Sequence, residues 1–175
     1  MSRPITAKVA VLTLLLWTGA AGQPARPGNP DESTSTPQEE PLAIIVNRKN
    51  PIENITFDDL RKLCLAERKH WADGRKVTLA LREPGQAERA AVLNQIYRMS
   101  ESEFTRHFLQ GSFTGELKTT PKELATANGV RRFIFNVPGA IGFARVSEVD
   151  DSVKVIRLDG HAAGDPEYKL KLPVP

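Results

Sequence analysis

The chain has 175 residues and carries 24 Lys and Arg against 21 Asp and Glu, a net charge of +3. Its basic pairs, among them Arg61-Lys62, Arg68-Lys69 and Arg131-Arg132, are interleaved with acids and few aromatics accompany them, a pattern that argues against a nucleic-acid surface. The single cysteine excludes an internal disulfide, and no apolar run after Trp17 approaches the roughly 20 residues of a membrane-spanning helix.

Residues 1–22 read as a secretory signal peptide. Arg3 and Lys8 precede an apolar run from Val9 to Trp17, and the small residues Gly19, Ala20, Ala21 and Gly22 follow, the charged, hydrophobic and cleavable order of an export signal. No cysteine in the Leu15 to Gly22 region offers a site for acylation. Residues 23–41 are rich in Pro, Gly, Ser, Thr and acids and read as a disordered linker. A single domain is expected over residues 42–175.

Leu42 to Asn47 is a short continuous apolar run, the pattern of a strand buried on both faces of a parallel sheet. Thr56 is a helix N-cap with Asp59 placed to reach back, and Phe57, Leu60, Leu63 and Cys64 form one apolar face. On that face Cys64 reads as a small buried core residue in preference to a reactive thiol or an intermolecular bridge. Asp73-Gly74 marks a turn, and Val77, Leu79 and Leu81 alternate with Thr78 and Ala80 in a strand ending at Arg82. Pro84-Gly85 breaks the chain before a helix over Gln86 to Arg98 that buries Ala90, Leu93, Ile96 and Tyr97.

Ser100 and Glu103 form a capping box opening a helix through Leu109, and Thr120-Pro121-Lys122-Glu123 reads as another helix start. Val130, Phe133, Ile134 and Val137 fall at helical spacing, stopped by Pro138-Gly139. Ala140 to Ala144, Val153 to Leu158 and the alternating Tyr168, Leu170 and Leu172 read as strands. Strands separated by helices imply an α/β fold, a parallel or mixed sheet flanked by helices. Ligands of such sheets settle at the carboxyl ends of strands near helix N-termini, a place the turn after Arg82 fits best.

Arg82, Gly85, Gln86, Ala87 and Arg89 therefore form the candidate site, with exposed N–H groups and the helix dipole favouring a small anion. The competing reading makes Arg82 and Arg89 surface charges neutralised by Glu83 and Glu88. Trp71 with Asp73 and Gly74 either lines a ligand cleft or packs over a tight turn, the commoner arrangement. Pro138, Gly139 and Gly142 read as structural, the glycines permitting a turn and a close backbone approach. His70, His107 and His161 have no partners at metal-ligand spacing. With no nucleophile elbow and no phosphate-binding P-loop, the sequence argues against an enzyme, a metal site and a cofactor.

Several of these stretches, in order, resemble the periplasmic substrate-binding proteins of phosphate ABC transporters, in the segment that forms one of their two lobes. They are Ile45-Val46-Asn47 with Asn50-Pro51, the Thr56 to Leu65 helix, Trp71 to Arg75 before a strand, Phe113-Thr114-Gly115 and, most similar, Pro138-Gly139-Ala140-Ile141-Gly142-Phe143. Asp159-Gly160, Asp165-Pro166 and Tyr168-Lys169-Leu170 add a weaker likeness. The resemblance implies one lobe of a type II periplasmic binding protein and a phosphate-like ligand. It also shows two departures. The chain has residues for one lobe only, and where the family's phosphate loop carries Ser-Gly-Thr this sequence reads Gly85-Gln86-Ala87, without the two hydroxyls.

The expectation is a non-catalytic periplasmic or secreted domain that recognises phosphate or another small anion. The alternative is a stand-alone interaction module whose exposed face meets another protein or a second copy of itself.

Overall fold

The computed structural model describes residues 39–115, 117 and 120–172. The expected signal peptide and residues 23–38 of the expected linker lie outside them. The first strand, β1 (Glu40–Val46), begins two residues inside the stretch read as linker. Glu40 and Pro41 pair with Leu172 and Lys171 of the last strand, β7 (Lys171–Leu172), and the Glu40 carboxylate accepts from Arg145 Nη1 at 2.7 Å and Ser147 Oγ at 2.6 Å. Composition alone did not show these partners, which lie more than a hundred residues away.

Between those ends the chain forms β2 (Asn54–Ile55), α1 (Phe57–Cys64), β3 (Thr78–Arg82), α2 (Ala87–Val92) running into a π-helical turn at Leu93–Tyr97, and α3 (Glu101–Thr114). There follow β4 (Lys122–Leu124), α4 (Ala127–Asn136), β5 (Ala140–Arg145), a 3₁₀ turn at Val146–Glu148 and β6 (Lys154–Leu158). The strands make one sheet in the order β2-β6-β1-β5-β3-β4, with β7 on β1.

The sheet is mixed. β3 runs parallel to β4 and β5, and β2 parallel to β6, but β1 is antiparallel to β5, β6 and β7. The continuous apolar run of β1 therefore marks burial on both faces, as read, without marking strand direction. Leu42, Ile44 and Val46 join Leu60, Leu63, Ile96, Tyr97, Phe104 and Phe108 in one core. Ala43 and Ile45 join Val130, Ile134 and Val153 in another, under α4.

Local capping chemistry explains the helix starts. Thr56 Oγ1 accepts from the Asp59 N–H at 3.1 Å, although the Asp59 carboxylate turns to Arg68 at 3.0 Å instead of reaching back. The Ser100 and Glu103 box is complete, with Glu103 Oε2 accepting from the Ser100 N–H at 2.7 Å, and the helix runs past the expected end to Thr114. The segment after Thr120 is a correction. Lys122–Leu124 is a strand beside Ala80–Arg82 of β3, because sheet hydrogen bonds along an open edge outweigh a local capping signal. The next helix is capped instead by Thr126, which accepts from the Gly129 N–H at 3.0 Å.

Cys64 is fully buried, and burial, outweighing a hydrogen bond with Tyr97, pushes its thiol up to about 12. A thiol held protonated in the core is not reactive.

Candidate functional site at the β3–α2 turn

β3 delivers Arg82 to the carboxyl end of the sheet, and Gly85 makes the turn with φ +87°, a conformation side chains rarely adopt. Gln86 then takes the N-cap position in an extended conformation, but its side chain does not cap the helix. Its Oε1 accepts from Arg82 Nη2 at 2.9 Å. Gly85 and Ala87 are exposed and Gln86 and Arg82 half-buried. Arg82, Gly85, Gln86 and Ala87 are thus brought together at one place.

Arg89 is not part of that cluster. Its side chain is 2% exposed and is taken up by other groups of the protein, with Nε donating to Glu101 Oε2 at 2.9 Å and Nη2 to Glu101 Oε1 at 2.5 Å. Its Nη1 donates to Glu123 Oε1 at 2.8 Å and to the Arg82 carbonyl at 3.0 Å, and the guanidinium lies 4.9 Å from the Phe104 ring centre. Five donors in a fixed fork suit this clamp. It ties α2 to the start of α3 and to β4. Ala90, expected in the core, is exposed for the same reason: the helix turns Glu88 and Arg89 inward, with Ala91 and Val92.

The competing reading made Glu88 a surface counter-charge to the arginines; it is a counter-charge to Arg82, but not at the surface. It is 5% exposed. Its Oε1 accepts from Arg145 Nε at 2.6 Å, and its Oε2 stands 3.8 Å from Arg82 Nε, beyond hydrogen-bond reach. Burial works to raise the Glu88 carboxyl, but hydrogen bonds from Arg145 and from its own backbone N–H, with the charges of Arg145 and Arg82, outweigh it and hold the group below the usual carboxylate range. Arg145 in turn holds Glu40. A carboxylate of the protein thus sits among the donors that a helix N-terminus and two arginines direct at an anion. Arg82 Nε and Nη1 are buried and, among the described residues, have no hydrogen-bond partner.

The other singled-out residues meet elsewhere. The Trp71 indole N–H donates to the Gly139 carbonyl at 3.0 Å, which also accepts from the Thr78 N–H at 3.1 Å. Trp71 is buried. Gly74 turns with φ +82°, and Asp73 Oδ1 accepts from the Arg75 N–H at 3.0 Å. The Trp71 to Gly74 and Pro138 to Gly142 segments therefore brace each other where β3 and β5 begin, at the opposite end of the sheet from Arg82. Among the described residues no cluster of His, Cys, Asp and Glu is placed to hold a metal ion, and no helix is long and apolar enough to cross a membrane.

The fold has known counterparts. An ABC-type phosphate transport receptor from Vibrio cholerae superposes with a TM-score of 0.64 at 20% identity, over 77% of this chain and 55% of its own. The chain has the phosphate-receptor fold. A putative phosphate ABC transporter substrate-binding protein from Clostridium perfringens, solved with bound phosphate, gives the same TM-score at 19% identity, over 77% of this chain and 54% of its own. In sequence, the phosphate-binding protein PstS of Bacillus subtilis is 27% identical over 124 residues, which are 68% of this chain and 36% of that protein. No protein-family model matches. The chain spans about half the length of these structures and about a third of that relative.

Proposed function

We propose that the chain is a non-catalytic, exported binding lobe that takes phosphate or a similar small oxyanion at the Gly85-Gln86-Ala87 turn, with Arg82 as its cationic anchor. The observation that carries this reading is the Arg82 guanidinium. It stands at the carboxyl end of β3, beside a helix N-terminus, with Nε and Nη1 making no hydrogen bond among the described residues, although Nε lies 3.8 Å from the Glu88 carboxylate. Buried donors are nearly always satisfied, so a group able to accept from them is favoured. The names of the similar proteins, a phosphate transport receptor and PstS, support the same ligand class.

Glu88 gives the reading its chemistry. The turn Gly85-Gln86-Ala87 carries no hydroxyl, and the Glu88 carboxylate stands 3.8 Å from Arg82 Nε, so an incoming anion has to displace it or bind beside it at an electrostatic cost. Affinity is therefore expected to be modest, and to rise when Glu88 loses its charge.

Thermal unfolding in phosphate tests this. A ligand that binds only the folded state stabilises it by about 2.7 kcal/mol at a hundredfold excess over its dissociation constant. The wild-type melting temperature should rise with phosphate concentration, Glu88→Gln should respond at lower concentrations, and Arg82→Ala should not respond. Equal phosphate responses in wild type and Arg82→Ala would remove Arg82 from the site.

A further inference from the structure

A cavity lies at the other end of β3, between the end of α1, the start of β3 and Pro121. Its volume is about 330 Å³, at the small end of the roughly 300–1,000 Å³ typical of ligand pockets. Leu63, Val77, Leu79 and Pro121 supply an apolar floor, and Arg68, Lys69, His70 and Lys76 add basic groups to the lining. Among the described residues, none that lines it is a carboxylate.

These basic groups are not equivalent. Arg68 is already paired with Asp59 at 3.0 Å. His70 and Lys76 are opposite one another in an antiparallel bridge, which turns both side chains to the same side of the ribbon. Both are exposed, and among the described residues neither side chain has a hydrogen-bonding or ionic partner. Two basic groups set side by side above an apolar floor complement a molecule that is anionic at one end and apolar at the other.

We propose that this cavity binds a small amphipathic carboxylate, its hydrocarbon chain on Leu63, Val77, Leu79 and Pro121 and its carboxylate between Lys76 and His70. The small volume favours a free short-chain acid over a diacyl lipid. The cavity shares no residue with the Arg82 turn, so the two sites stand or fall separately.

Calorimetric titration of the full chain with octanoate tests it. The expected result is saturable binding of one octanoate per chain, weakened about tenfold or more by Lys76→Glu and clearly weaker for octanol, which keeps the chain and lacks the charge. Because Lys76 is exposed, Lys76→Glu should fold normally, which far-ultraviolet circular dichroism checks, and His70→Glu provides a second variant in the same lining. The response to phosphate should be unchanged in Lys76→Glu. No saturable heat at millimolar octanoate, or equal affinity in wild type, Lys76→Glu and His70→Glu, would overturn the proposal.

Discussion

Gly139→Ala should destabilise the protein by about 3 kcal/mol, at or beyond the upper end of ordinary overpacking. A Cβ at this position would lie 2.1 Å from the Lys76 carbonyl oxygen, and backbone cannot swing aside as a flexible side chain can. The neighbourhood is also pinned. The Gly139 carbonyl accepts from both the Trp71 indole and the Thr78 N–H, so a shift that relieves the clash disturbs the start of β3 and the Trp71 turn together. Gly142→Ala is the informative comparison. There a Cβ meets Val130 Cγ1 at 3.1 Å, the Ala80 carbonyl at 3.2 Å and Ile134 Cδ1 at 3.3 Å, contacts that yield by small movements. Its cost should be about 1 kcal/mol. Denaturant midpoints of the two variants check the order, and a Gly139→Ala protein as stable as wild type would contradict the geometry.

The second large effect concerns Arg89. Replacing both Glu101 and Glu123 by Ala strands a guanidinium that is 2% exposed, with only the Arg82 carbonyl and the Phe104 ring left beside it. Breaking a buried pair in this way costs about 3–5 kcal/mol, and the half-exposed acids, through which water can reach the gap, place the expected loss near the lower figure. Arg89→Met should cost less, about 2 kcal/mol, because the two carboxylates it abandons can be hydrated and the main loss is the Arg82 carbonyl's donor. Urea unfolding of both variants gives the comparison, and a milder effect in the double acid variant would contradict it. The distinction bears on the proposed function, which gives the anion to Arg82 and leaves Arg89 to stability.

The sequence made local chemistry legible and left distant chemistry hidden. Thr56 and the Ser100-Glu103 box announce their helices because capping donors and acceptors lie within three residues of each other. The apolar run of β1 announces burial on both faces for a similar reason: every residue in it is apolar. Strand direction is another matter. Whether β1 runs with or against β5 depends on contacts between Leu42 and Arg145, which no local pattern records. The same separation explains the site. Gly85 and Arg82 mark the turn from sequence alone, whereas Glu88 finds Arg145 57 residues away, and Glu40 finds it from a stretch read as linker. Arg89 looked like a ligand residue because it follows a helix start; its partners Glu101 and Glu123 belong to other elements. The Thr120-Pro121 segment shows the limit of local signals, because an open sheet edge took residues that would otherwise begin a helix.

An isotope-labelled sample titrated with phosphate and followed by amide nuclear magnetic resonance tests the central claim most directly. Binding at the proposed turn should move the Gln86, Ala87 and Glu88 amides along a saturable curve in wild type, and leave them still in Arg82→Ala. Amides at that turn that do not respond to millimolar phosphate, or that respond equally without the Arg82 guanidinium, would contradict it.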